Sequence, residues 1–201
     1  MSGSYSSLAK FQNSTEYIFT WVSRGAMDLT QDDWMGQGYT QSANRTNGRR
    51  TAMAIMSDKK TLVGPEAIST VGAKDGDSQI NWVTETAGPD RSNAHVATFD
   101  DTYALISWEE AANPQCDNIA MGCAGTFTGT YFQLVNKSGK KIGAPMKKTD
   151  VYVSGDMVTA GDGKICWPYV SGKWSLAAPE GFGGDSGAST KKMSFACMSI
   201  V

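Results

Sequence analysis

The sequence predicts an all-β protein, one domain over residues 1–201, built from repeated units of four short antiparallel strands. Gly is abundant at 22 residues and aromatic residues make up 10% of the chain, as tight turns and pleated strands require. Short apolar segments that end in Trp recur along the chain. No apolar run approaches the ~20 residues that a membrane helix needs.

The first unit is predicted from residues 8–65. Residues 8–11 and 17–21 have the pattern of a hairpin whose second strand ends in Trp21. After a long polar loop, residues 52–56 form the predicted third strand and residues 62–65 a short fourth strand.

The second unit repeats this pattern. Residues 96–99 and 103–108 form a predicted hairpin that ends in Trp108. Residues 131–135 are the predicted third strand. A turn rich in Asn, Lys and Gly leads to a fourth strand at residues 142–145.

A third unit begins at residues 156–160. It turns at Gly161 and Gly163 and continues through residues 164–167, so that Trp167 occupies the place of Trp21 and Trp108. Residues 193–201 are its predicted third strand.

Four short strands per unit, recurring about every 60–90 residues, form the pattern of a β-propeller blade with a long inserted loop. Blade-like repeats are predicted at about 6–90, 94–152 and 155–201. One such sheet cannot cover both of its own faces, so neighbouring sheets should stack with Trp and Phe between them. The alternative is a β-sandwich, whose strands resemble each other because all of them alternate.

The unit resembles the repeats of secreted bacterial-type β-propellers, in which an Ala-x-Phe…Val-x-Trp hairpin precedes a third strand, an Asx-x-x-Gly turn and a closing Gly. The resemblance covers residues 6–65 and 95–170, and the long loop from Arg24 to Arg49 departs from it. Propellers have about four to eight blades, so it implies that another protein chain, or a separated part of the same precursor, completes the ring. Alternatively, residues 79–86 and the C-terminal segment belong to further, degenerate blades.

The cysteines and sequons predict an extracellular protein. Four cysteines without a Cys-x-x-Cys pair, in a chain with one His, favour two disulfides over zinc; the preferred pairs are Cys116–Cys123 and Cys166–Cys197. Four buried free thiols in a cytosolic protein are the alternative. Glycosylation sequons occur at Asn13, Asn44 and Asn136. The polar N-terminus lacks a signal-peptide core, so a processed chain is expected.

The long loop is the predicted ligand-binding segment. It contains Asp32, Asp33, Trp34 and Tyr39 among Gly, Gln, Ser and Asn. Exposed aromatic rings and carboxylates on a rigid sheet suit a carbohydrate or a peptide. The alternative is that Trp34 packs back onto the sheet and anchors the loop.

Catalytic motifs are weak. Gly184–Gly187 matches the sequence around the nucleophile of trypsin-like serine proteases, with Ser186 preceded by His95 and by Asp100 or Asp101. Only 15 residues follow Ser186, and His95 lies too close to Asp100 in sequence, so a protease is the remote alternative and His95 is expected to be a hydrogen-bonded strand residue.

Two further acidic features carry little chemistry. Glu109 and Glu110 should point to opposite faces of a strand, as a solvated strand end. Asp75, Asp77 and Asp162 resemble parts of calcium loops, although turn chemistry explains them, and no cofactor is expected.

The sequence therefore predicts a secreted, glycosylated interaction or structural module that is not an enzyme. A lectin-like or carbohydrate-active propeller is the alternative, and an enzyme whose site lies at the interface with a missing chain is the third hypothesis. Charged residues make up 19% of the chain and the net charge is −2, which argues against nucleic-acid binding.

Overall fold

The computed structural model describes residues 4–25, 46–57, 81–86, 88–116, 123–171, 175–176 and 192–200. All regular structure in these ranges is β, and they contain no helix that could span a bilayer. The described strands are β1 (Ser4–Lys10), β2 (Tyr17–Ser23), β3 (Arg50–Met56), β4 (Asn81–Trp82), β5 (Asp90–Thr98), β6 (Tyr103–Gln115), β7 (Ala124–Asn136), β8 (Lys141–Lys148), β9 (Val151–Val153), β10 (Val158–Thr159), β11 (Lys164–Ser171), β12 (Ser175–Leu176) and β13 (Ser194–Ser199).

The first sheet has the order β1-β2-β3-β4, and every neighbouring pair is antiparallel. The predicted hairpin and third strand are confirmed as β1, β2 and β3. The fourth described strand is β4, in which Asn81 and Trp82 pair with Met53 and Ala52. The expected fourth strand at residues 62–65 lies outside the described residues. Assigning residues 79–86 to a further blade was therefore wrong.

The second sheet is a meander of four long strands, in the order β5-β6-β7-β8, with the short β12 paired to β7 beyond the end of β8. The turn between β7 and β8 follows the expected chemistry. The Asn136 Oδ1 accepts hydrogen bonds from the backbone N–H groups of Ser138 and Lys140, and Gly139 has φ 80°, a conformation that glycine adopts without steric cost.

The third sheet is centred on β11. Its partner on one edge is β13, and β9 and β10 share the other edge. The predicted third strand at residues 193–201 is thus confirmed in its core, and its assignment to a further blade was wrong. Three sheets form in the described chain, whereas a sandwich would have two.

The three sheets stack, with the second sheet in the middle. Alternate residues of β6 face opposite ways: Ile106 and Trp108 pack on the first sheet, whereas Leu105 packs on the third. This strict alternation follows from the period of a strand. It divides most of the described apolar interior into two cores, each filled by two sheets, beside a small third cluster of Ala111, Phe127 and Tyr152. The first core contains Phe11, Ile18, Met53, Ile106, Trp108 and Val135; the second contains Phe99, Leu105, Phe132, Ile165 and Trp167.

A recurring hydrogen bond joins β5 of the second sheet to β1 of the first, and β10 of the third sheet to β5. The Thr98 hydroxyl at the end of β5 donates to the Lys10 carbonyl at the end of β1, at 2.8 Å. The Thr159 hydroxyl at the end of β10 donates to the Thr98 carbonyl, at 2.6 Å. Lys10, Thr98 and Thr159 occupy the same position in the three sequence units, so successive sheets are placed by the same local contact.

Candidate functional site

Several predicted site residues lie outside the described residues. They are the ligand-binding candidates Asp32, Asp33, Trp34 and Tyr39, the sequon residue Asn44, the protease candidate Ser186 and the calcium candidates Asp75 and Asp77. Their predicted roles stay predictions.

Both predicted disulfides are confirmed. Cys116–Cys123 links the ends of β6 and β7 across a separation of 7 residues, and Cys166–Cys197 links β11 to β13 across 31. Free cysteines are absent from the described chain. Two disulfides fit an extracellular protein, because cytosolic thiols are kept reduced.

Two of the sequons lie in described turns between strands. Asn13 is exposed in the β1–β2 turn with φ 52°. At Asn136 the turn is held through the carbonyl oxygen of the side chain, and the amide nitrogen, the atom that N-glycosylation modifies, does not carry these bonds.

The described members of the candidate protease triad have structural roles. His95 lies partly buried in β5, and its Nε2 is 2.8 Å from the Asn93 Oδ1, as expected for a hydrogen-bonded strand residue. Its Nδ1 is 3.8 Å from a carboxylate oxygen of the exposed Asp156. Asp100 instead accepts hydrogen bonds from the backbone N–H groups of Thr102 and Tyr103 in the β5–β6 turn. Burial lowers the pKa of His95, and Asp156 opposes that shift.

Glu109 and Glu110 do face opposite sides of the second sheet, but the expectation of a solvated strand end was wrong. Glu109 is fully buried, where its carboxylate accepts a hydrogen bond from the Val153 backbone N–H. Glu110 is mostly buried on the other face. The third sheet covers Glu109, and a strand pattern alone does not report such a cover.

A buried ion pair, Arg49–Asp90, joins the first and second sheets, and a second pair within the second sheet, Arg91–Glu110, holds Arg91 against Thr86 beside the first sheet. Asp90 begins β5, and its carboxylate accepts the Arg49 backbone N–H at 2.7 Å and the Arg49 Nε at 3.0 Å. Arg91 donates to the Glu110 carboxylate at 3.1 Å and to the Thr86 carbonyl at 2.9 Å. Burial is costly for charges unless they are paired in this way, so these contacts fix how the sheets meet.

Four arginines are buried at this junction: Arg24, Arg49, Arg50 and Arg91. Burial lowers the pKa of Arg24, Arg50 and Arg91. The Arg24 Nη2 lies 3.4 Å from the Cys123 Sγ, which brings the first disulfide into the same neighbourhood.

An open cleft of about 350 Å³ lies beside the Arg91–Glu110 pair. Trp108 and Tyr131 stack with their ring centroids 5.5 Å apart, and the Tyr131 hydroxyl donates to the Glu110 carboxylate at 3.2 Å. Among the described residues, the buried Trp108 Nε1 has no hydrogen-bond acceptor. The cleft also presents polar groups of Gln133 and Lys141. Rings beside carboxylate, amide and ammonium groups are suited to a polar ligand with apolar faces.

The described acidic residues give little support for a metal site. Asp90 lies close to the sulfurs of Cys116 and Cys123, but the disulfide leaves no thiolate to act as a ligand. Asp162 is exposed and pairs with Lys164, which agrees with a turn role.

The outer face of the first sheet carries aromatic side chains. Phe19 and Trp21 stack at 5.1 Å and are half-buried, and Leu8, paired with Phe19, is 61% exposed. They alternate with Ile18, which packs in the first core, so they point away from the second sheet. At the other end of the stack, Phe195 of the third sheet is 65% exposed.

Sequence reasoning missed the junction residues Arg49, Arg50, Asp90 and Arg91. The available signal was their position: each lies in or next to a strand of a sheet that stacking should cover, where charges must find partners. Comparisons with protein-family models, with curated proteins and with solved structures found no match, so the function has to be argued from these surfaces.

Proposed function

We propose that this chain is a secreted interaction module made of propeller-like blades, and that a sheet of another chain packs on the outer face of its first sheet. The recurring hydrogen bond from Thr98 to Lys10 and from Thr159 to Thr98 carries the proposal. Because each sheet contacts the preceding sheet through the same hydrogen bond, the sheets form a repeat to which further sheets can be added.

The tryptophans support the same conclusion. Trp108 packs on the first sheet, which precedes its own, and Trp167 lies 4.9 Å from Phe132 in the second sheet, which precedes the third. Trp21 has the equivalent position in the first sheet, on the face turned away from the second. Because Trp108 and Trp167 each pack on the preceding sheet, we infer that Trp21 and Phe19 pack on a sheet that lies before the first one.

The opposite end of the stack offers a complementary surface. Phe195 and Val158 are 65% and 51% exposed on the third sheet. A second copy of the chain could place this face on the first sheet of its neighbour, which is a heterologous contact that closes into a ring when the rotation allows it. Large exposed apolar side chains at both ends agree with such use.

The test measures the mass of the assembly in solution. We expect the protein, secreted from a eukaryotic host, to form an oligomer in light scattering and native mass spectrometry. Leu8→Asp and Phe195→Asp should each reduce it to the monomer, because they place a charge in the contact without touching either core. Met146→Asp is the matched control, since Met146 is 37% exposed on β8 of the middle sheet.

A monomer at all concentrations, with no partner chain cross-linked in native material, would exclude the proposal. The same native preparation tests export: intact mass before and after glycosidase treatment should report glycans at the sequons and both disulfides. Unmodified, reduced protein would contradict a secreted module.

A second candidate function is carbohydrate binding at the cleft beside Trp108 and Tyr131. The stacked rings and the unpartnered Trp108 Nε1 among the described residues favour it. The test is a glycan array with the intact protein, repeated with Tyr131→Leu, which removes half of the ring pair. Absence of binding to every glycan, or equal binding by the variant, argues against this function.

A further inference from the structure

A second cavity, of about 490 Å³, lies at the arginine-rich junction between the first and second sheets. Arg50 lines it together with the backbone of Gly48 and Gly88, and its rim carries the side chains of Asn47, Asn113 and Gln115. At Gly88 a side chain would meet nothing within 4 Å, whereas at Gly48 a Cβ would meet the Pro89 carbonyl oxygen at 2.6 Å. The cavity is therefore open to a small ligand that can reach a guanidinium group.

Among the described residues, Arg24 and Arg50 are the two arginines of this cluster without a hydrogen bond to a carboxylate, and Arg50 is the one that lines the cavity. Arg50 is 2% exposed, and within the described ranges its Nε and Nη1 have no hydrogen-bond partner. By contrast, Arg49 is held by Asp90, and Arg91 by Glu110 and Thr86. Buried donors normally find acceptors, so the missing acceptor at Arg50 needs an explanation.

The charges around the cavity point to an anion. Two carboxylates, Asp90 and Glu110, act on the buried arginines, and both are engaged in ion pairs. Burial is the main cause that lowers the pKa of Arg50, and the nearby Arg91 lowers it further against the attraction of Asp90. A bound anion would relieve the charge repulsion and supply the missing acceptors.

We propose that this cavity binds the carboxylate of a sugar acid, with Arg50 as the group that recognises its negative charge. A guanidinium binds carboxylates through charge-assisted hydrogen bonds, which are stronger than neutral ones. The carboxamides of Asn47, Asn113 and Gln115 both donate and accept, so they match the hydroxyl groups of a sugar. This site is separate from the outer faces and from the cleft at Trp108, and it does not depend on the function proposed for either.

The test is a calorimetric titration of the intact, disulfide-bonded protein with D-glucuronate. D-glucose tests the need for charge, acetate tests the need for the sugar, and inorganic phosphate and sulfate test the geometry of the anion. We expect glucuronate to bind most tightly and glucose not to bind. Arg50→Gln should weaken glucuronate binding by about tenfold or more, the usual size of a lost charge-assisted hydrogen bond.

Two variants keep the result interpretable. Lys148→Gln removes one positive charge from an exposed position of β8 and should leave binding unchanged. Arg50→Lys keeps the charge but loses the planar fork, so it should bind more weakly than the native protein and better than Arg50→Gln. Circular dichroism and thermal unfolding establish that each variant is folded.

Each contrary result overturns the proposal in a definite way. If Arg50→Gln binds glucuronate as tightly as the native protein does, or if no acid binds, the proposed site does not exist. Phosphate or sulfate that binds more tightly than glucuronate contradicts a carboxylate ligand. Acetate as tight as glucuronate contradicts a role for the amide rim and for sugar hydroxyls.

Discussion

The middle sheet and its two neighbours have similar sequences and different surroundings. In the middle sheet Trp108 packs on one neighbour and Phe132 on the other, and both are buried. In the first sheet Trp21 is half-buried, and in the third sheet Phe195 is mostly exposed. A repeat in the sequence thus reports a repeated local structure, while burial depends on whether another sheet lies next to it.

The comparison also separates two kinds of charge. Inside the junction, Arg49 and Asp90 form a complete pair, whereas Arg50, the next residue along the chain, has unanswered donors among the described residues. We therefore expect the paired Arg49 to contribute to stability, and Arg50, whose Nε and Nη1 lack partners in the described part of the chain, to be available to bind a ligand. The variants below compare one residue from each of the two regions.

The largest expected effect is at Trp108. Trp108→Ala removes a buried ring from the first core and should lower the free energy of unfolding by about 3–5 kcal/mol. Phe195→Ala, on the exposed face of the third sheet, should cost less than about 1 kcal/mol in the monomer, since it loses little burial. Urea denaturation measures both. Equal losses would mean that the outer face is as well covered as the middle sheet.

Next is the ion pair at the junction. Asp90→Asn leaves the buried Arg49 guanidinium without its counter-charge, and we expect a loss of about 3–5 kcal/mol. Arg50→Met should be neutral or slightly stabilising, because it removes a buried charge that lacks a full set of partners. The unfolding free energies of the two variants give the answer, and a strongly destabilised Arg50→Met protein would show that Arg50 is already paired.

Removing either disulfide should cause an intermediate loss of unfolding free energy, and the two losses compare the middle sheet with the third sheet. Each constrains the unfolded chain in proportion to the logarithm of its loop length. Replacing both Cys166 and Cys197 by Ala should cost about 3.5 kcal/mol, against about 2.5 kcal/mol for Cys116 and Cys123. Thermal unfolding of the two double variants tests the order. The reverse order would show that contacts around Cys123, such as that of Arg24, outweigh chain entropy.

The smallest effect is the pH dependence from His95, the only histidine in the chain. Because burial holds its folded pKa below the unfolded value of 6.5, protonation favours the unfolded state. The contribution of His95 is fully present above pH 6.5 and declines as the pH falls below it, by at most about 1.4 kcal/mol per pH unit.

Denaturation curves at pH 7.5 and 5.5 measure this loss, and His95→Gln should flatten it. Asp156→Asn provides the matched control: it removes the charge that opposes the shift, so the decline should become steeper. A pH dependence that is unchanged in His95→Gln would assign it to carboxylates instead.

Much of the local structure followed from residue patterns. Trp21, Trp108 and Trp167 marked the second strand of each hairpin, and the cysteine spacing pointed to the correct disulfides, because hairpins and short covalent loops are decided by residues close in sequence. The strand β4 was expected within residues 79–86 as part of a further blade and not as a strand of the first sheet, since a two-residue strand has almost no periodicity of its own. The roles of Arg49, Asp90 and Arg91 were not predicted, because they arise from partners on different strands.

The sequence by itself determined the strands, their hairpins and the covalent links, since alternation, turn residues and cysteine positions act over short distances along the chain. Only the tertiary structure decided which faces are covered, that Glu109 is buried, and that Arg50 borders a cavity. The physical reason is that burial and charge pairing depend on which sheets meet. That meeting is fixed by contacts such as those of Thr98 and Thr159, between residues distant in sequence.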